Sequence, residues 1–67
     1  VNGTSTLSEY QVAAAIFRKN RSVFVNGNPF KLKGGVTLIM PNLEDVERLS
    51  EKQARLWWIE QREKFPE

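Results

Sequence analysis

Apolar residues recur along this chain with two different periods. Between Ser8 and Lys19 they fall three and four apart, so Val12, Ala13, Ile16 and Phe17 share one face of a helix. Ser8 and Gln11 have the spacing of a capping box, and Leu7 with Val12 that of a hydrophobic staple. The consecutive alanines Ala13, Ala14 and Ala15 favour helix and let another element approach closely. Arg18 and Lys19 suit the negative end of the helix dipole, and Asn20 can end the helix in a left-handed conformation. Ser22–Val25 is short and apolar, fit for a brief strand or one helical turn. Asn26-Gly27-Asn28-Pro29 is a strong turn signal, and Gly34-Gly35 makes a second break. Val36–Met40 then reads as the best strand in the chain, apolar enough for at least partial burial on both faces and stopped by Pro41. The helical period returns after Asn42, which caps a short helix from Leu43 to about Leu49 with a Glu44–Arg48 pair. Ser50 and Gln53 form another capping box, stapled by Leu49 and Ala54, and open a helix from Glu51 to Lys64. Ala54, Trp57, Trp58, Gln61 and Phe65 make its apolar stripe, with Leu56 and Ile59 widening it. Glu51–Arg55 and Glu60–Lys64 are spaced to support it, and Pro66 ends it. The pattern predicts an α+β fold, mostly helical: an N-terminal helix, an Asn/Gly-rich loop, a short apolar strand or small hairpin, a short helix and a C-terminal helix.

Composition narrows what such a fold can do. With 67 residues there is room for one domain, and a chain this short buries roughly 60% of its unfolded surface. There is no cysteine and no histidine, which removes disulfides, Cys/His zinc sites, thiol chemistry and the commonest acid–base catalyst. Glu44, Asp45 and Glu47 read as a solvated acidic helix start rather than a metal site, and Glu9 as a carboxylate stabilising a helix dipole. No hydroxyl has a histidine to activate it, and Gly34-Gly35 lacks the pattern of a phosphate loop. The expectation is a chain that is not an enzyme and carries no cofactor and no metal.

Charge is distributed unevenly. Residues 1–35 carry Arg18, Lys19, Arg21, Lys31 and Lys33 against Glu9 alone, whereas residues 36–67 carry five basic and seven acidic side chains. A basic first half permits a polyanionic partner, and equally permits the two halves to attract each other. No stretch approaches the ~20 apolar residues of a membrane span. The chain opens at Val1 in a polar run and reads as part of a larger protein with a flexible or cut N-terminus over residues 1–6.

The segment Leu7–Pro41 resembles the second helix, loop and final strand of the LysM-like domain of FimV-type pilus-assembly and cell-pole proteins. The residues that carry the resemblance are Ser8 and Gln11, Ala13 to Phe17, Asn20, Phe24-Val25, Gly27-Asn28, Leu32, Gly35, Val36 to Met40, and Pro41. On this view residues 7–41 are a truncated LysM-like unit, and residues 42–67 a helical flank packed on it. The usual opening of the family is missing from the chain: there is no first strand and no Gly-Asp-Thr-Leu motif. Val36–Met40 would then present unpaired backbone groups, and an exposed apolar edge is a template for pairing. Three covers are open to it: Ser22–Val25 folding back as a hairpin, a second chain, or, the favoured one, the last helix with Trp57 and Trp58 lying over the strand.

The resemblance implies a periplasmic module of a bacterial inner-membrane protein, with envelope or pilus-assembly proteins and the glycan of peptidoglycan as partners. Carried over, the glycan-binding half-groove is Val25, Asn26, Gly27, Asn28 and Leu32, whose amides and relaxed backbone suit sugar hydroxyls. Two other functions compete. Trp57 and Trp58 could anchor a protein partner on an adaptor helix. Arg18, Lys19, Arg21, Lys31 and Lys33 could form a phosphate-facing patch for nucleic acid.

Overall fold

The structure, a computed structural model, describes residues 8–66. Expectations for residues 1–6 and for the Leu7 half of the first staple lie outside the described residues. Three α-helices form the body: α1 (Glu9–Lys19), α2 (Leu43–Glu47) and α3 (Glu51–Lys64). Two single-turn 3-10 helices, Arg21–Val23 and Val25–Gly27, follow α1.

Each α-helix starts at a reciprocal capping box. Ser8 Oγ accepts from the Gln11 N–H at 3.3 Å while Gln11 Oε1 accepts from the Ser8 N–H at 2.9 Å. Ser50 and Gln53 repeat the arrangement at 3.1 and 2.9 Å. Asn42 and Asp45 make a third box, at 2.9 and 3.0 Å. Two otherwise orphaned donors are satisfied at every helix start, a local effect that fixes where the helices begin.

α1 is the centre, packing on both α2 and α3. Its buried positions are Gln11, Ala14, Ala15 and Phe17, joined by Val46 of α2 and Ala54 of α3. The core is therefore small side chains plus Phe17, and no large side chain is fully buried among the described residues. Polar ties lock the packing. Gln11 Nε2 donates to the Leu49 carbonyl at 2.8 Å, Arg18 donates to the Asp45 carbonyl at 2.6 Å, and Lys19 Nζ meets the Asp45 carboxylate at 3.1 Å. Aromatic rings extend the core along a relay from Phe24 through Phe17, Trp57 and Trp58 to Phe30, with successive centroids 5.0, 5.5, 4.7 and 5.3 Å apart. Edge and tilted contacts at these distances stabilise beyond area burial alone.

The α+β expectation is corrected: among the described residues the fold is all-α, with no strand and no sheet. Val36–Met40 contains no helix, turn or bend, so it is extended, but no second strand lies beside it. A ladder needs a partner's N–H and C=O groups, and an apolar β-branched sequence does not supply them. One isolated antiparallel bridge, Phe24 to Leu32, is all the β-pairing present among the described residues. A side chain takes the partner's place at Ile39. Asn20 Oδ1 accepts from the Ile39 N–H at 2.7 Å, and Asn20 Nδ2 donates to the Ile39 carbonyl at 2.9 Å.

Other expectations shift with it. Partial burial within the segment is confined to Val36 and Leu38, since Thr37, Ile39 and Met40 are exposed. The Trp57 and Trp58 rings pack on Phe17, Phe30 and each other. Asn20 has φ −132°, outside the left-handed region, because its amide is drawn to Ile16 and Ile39. Ala13, Leu56 and Ile59 are exposed rather than on the packed faces. Glu51–Arg55 is a loose pair at 3.9 Å, and neither Glu44–Arg48 nor Glu60–Lys64 forms among the described residues.

Candidate interaction surface

Residues 23–33 form a closed loop that sets up the surface. The Val25 N–H donates to the Lys31 carbonyl at 2.8 Å and the Lys33 N–H to the Val23 carbonyl at 2.9 Å. The tip turns through two consecutive left-handed residues, Asn26 (φ 53°) and Gly27 (φ 71°), which is where an Asn-Gly pair belongs. Asn28 Oδ1 then accepts from the Phe30 N–H at 2.8 Å, an Asx-turn that fixes the direction of Phe30. Pro29 is buried under this turn. Phe24 and Phe30 flank the loop and hold it to the body through Phe17 and Trp58.

Phe30 and Trp58 meet above α1, and a cleft of about 450 Å³ opens beside them. Tyr10, Phe30, Trp58 and Ile59 supply its apolar wall, and Arg55, Arg62 and Glu9 its polar rim. The apolar groups are genuinely accessible: Tyr10 is 48% exposed, Phe30 46% and Ile59 53%. Trp58 is fixed in place by its indole N–H, which donates to the Tyr10 carbonyl at 3.0 Å. Phe30 also lines an adjoining hollow with Asn28, Lys31, Arg62, Phe65 and Pro66. Arg55 and Arg62 line the cleft with Glu9, Arg55 also standing 3.9 Å from Glu51, and Lys31 joins Arg62 in the adjoining hollow. Such a wall can bury a ring or aliphatic group while its rim neutralises an anion.

Trp57 and Trp58 part company in this arrangement. Trp57 leans on Phe17, the buried aromatic, whereas Trp58 faces Phe30 and the cleft. Of the half-groove residues, Val25 is half-buried with its N–H spent on Lys31, and Asn28 has spent its oxygen on Phe30. Asn26 and Gly27 are exposed at the loop tip, and Leu32 is exposed opposite Phe24.

The five basic residues do not assemble into one patch. Arg18, Lys19 and Arg21 meet Arg48 around a shallow cleft at the end of α1. Arg18 and Lys19 are committed there to Asp45, and the Arg21 guanidinium lies 5.6 Å above the Phe17 ring. Lys33 Nζ rests on the Ser22 carbonyl at 3.0 Å, and Lys31 lines the hollow beside Arg62. Asp45 is held below the usual carboxylate value of 3.8, first by the Asn42 N–H and then by the Lys19 ammonium. These are the bonds of a helix cap and an interhelical tie, so the cleft around Asp45 is accounted for by folding.

Tyr10, Phe30, Arg55, Ile59 and Arg62 were not legible as site residues in the sequence. Part of the signal was present, because Arg55 and Arg62 lie three before and four after Trp58 on a helix and so share its face. Phe30 and Tyr10 are brought in by the loop and by α1, contacts that no local pattern encodes. Comparison of the chain with protein-family models, with curated proteins and with solved structures returns no match.

Proposed function

We propose that this chain is a non-catalytic periplasmic interaction module of a FimV-like pilus-assembly or cell-pole protein. It docks an acidic segment with apolar side chains, belonging to an envelope-assembly protein, in the cleft of Tyr10, Phe30, Trp58 and Ile59. The observation that carries this reading is the cleft itself: half-exposed apolar groups on a fixed indole, with Arg55 and Arg62 on the rim and Lys31 in the adjoining hollow. Rim cations select an acidic partner and the aromatic wall supplies affinity. The envelope setting rests on the resemblance of Leu7–Pro41 to FimV-type domains. The non-catalytic reading is supported by the lack of histidine and cysteine.

A photo-crosslinking side chain at position 59 tests this, in a chain exported to the periplasm of a type IV-piliated bacterium. Crosslinks to inner-membrane pilus-assembly proteins are expected, and Arg62→Glu should reduce them. A yield no higher than from position 52, an exposed site of α3 outside the cleft, would overturn the reading.

A glycan contact is a second reading, favoured by the exposed Asn26 amide on its left-handed turn. Co-sedimentation with purified peptidoglycan, diminished by Asn26→Ala, is the outcome it requires.

A further inference from the structure

The extended segment Val36–Met40 has two edges, and only one of them is in use. In extended backbone the N–H and C=O of one residue point to the same side, and successive residues point to opposite sides. Asn20 binds both groups of Ile39, so the edge shared by Thr37, Ile39 and Pro41 faces α1. The opposite edge belongs to Val36, Leu38 and Met40. Among the described residues, none of their N–H or C=O groups has a hydrogen-bond partner. Pro41, the one residue here without an N–H, lies on the occupied edge, so it does not blunt the free one. Val36 and Leu38 of that edge are half-buried, whereas Met40 is 67% and the neighbouring Ile39 59% exposed.

We infer that this free edge pairs with the same edge of a second copy of the chain, antiparallel and centred on Leu38. Charge selects both the partner and the direction. Residues 34–43 contain no ionisable side chain, so two copies can approach without repulsion. Lys31 and Lys33 precede the segment, and Glu44 and Asp45 follow it. Antiparallel pairing brings the basic end of each copy to the acidic end of the other, whereas parallel pairing sets like charges together. With Leu38 opposite Leu38, Val36 faces Met40 and all three residues of the free edge exchange both backbone hydrogen bonds with the partner. The contact is two-fold symmetric and closed, so it stops at a dimer. It uses neither the cleft of Trp58 nor the identity of any envelope partner.

Sedimentation across a concentration series tests the inference, with far-UV circular dichroism confirming that each variant keeps its helices. The wild-type chain should pass from monomer to dimer as concentration rises. Leu38→Pro removes a donor from the free edge and should raise the half-dimerisation concentration about tenfold or more. Thr37→Pro removes a donor from the occupied edge and should leave it within about twofold. The amides of Leu38 and Met40 should gain hydrogen-exchange protection with concentration, while that of Ile39 is protected throughout. A chain that stays monomeric throughout, or association that Leu38→Pro leaves intact, would overturn the inference. So would association weakened equally by both proline variants. If residues 1–7 covered the edge within one molecule, the whole chain would remain monomeric and only a trimmed one would associate, which also overturns it.

Discussion

Asn20 does more for this fold than its place at a helix end suggests. It is only 5% exposed, and its carboxamide reaches Ile16 behind it and both backbone groups of Ile39, nineteen residues ahead. Replacing it with alanine leaves the part-buried N–H and C=O of Ile39 and the Ile16 carbonyl without this partner. Asn20→Ala should cost about 2–3 kcal/mol, read as a lowered urea midpoint. Asn20→Asp should cost at least as much, because the carboxylate keeps the acceptor, loses both donors and adds charge at the negative end of α1. Asp45 contributes to the response to acid. Its carboxyl is held below its ordinary value by the Asn42 N–H and the Lys19 ammonium. A group depressed on folding stabilises above its unfolded pKa, and that contribution disappears as pH falls through the folded one. Stability should therefore drop on acidification below about pH 4, and Asp45→Asn should flatten that part of the profile. Thermal melts at stepped pH measure both.

At the scale of elements, helices were legible and the strand was not, for one reason. Ser8 with Gln11 and Ser50 with Gln53 act on their own N–H groups, so their spacing alone located the starts of α1 and α3. Val36–Met40 has the composition of a strand, but pairing depends on what lies next to it in space, and there it found one side chain. Faces were legible only in part. Phe17 and Ala54 are buried as their stripes imply, whereas Ala13, expected on the packed face, is exposed, Ala14, outside that stripe, is buried, and Leu56 and Ile59 stay exposed. The site was half legible: Trp58 was identified from its helix, but its partners Phe30 and Tyr10 come from other elements. The division between the two tryptophans is measurable. Trp58→Phe keeps the ring contact with Phe30 and loses the indole bond to Tyr10, and should cost about 1 kcal/mol. Trp57→Ala removes the central link of the aromatic relay and should cost about 3 kcal/mol or more. A domain of this size has only ~3–5 kcal/mol of net stability, so circular dichroism should show Trp57→Ala largely unfolded.

The whole molecule is thin. Its principal extents are 37 × 27 × 17 Å, and the shortest is less than two helix diameters of ~10–12 Å. A body this thin has almost no interior, which is why three alanines, Val46 and Phe17 form the apolar core and large apolar groups such as Ile59 and Met40 remain at the surface. Ala54 is fully buried on the side of α3 that packs toward α1. Enlarging it should push the helices apart: Ala54→Leu should destabilise by about 1–3 kcal/mol in a denaturant titration. The same scarcity of interior leaves the cleft of Phe30 and Trp58 open, and this is the surface proposed to take a partner. Titration of a short peptide of alternating leucine and glutamate, followed by nitrogen–proton NMR, reads this most directly. The Trp58 indole and the amides of Phe30, Ile59 and Arg62 should move together, leaving the Trp57 indole and the residues around Asp45 unchanged. Shifts centred instead on Arg18, Lys19, Arg21 and Arg48 would mean that charge alone attracts the peptide, and would contradict the account.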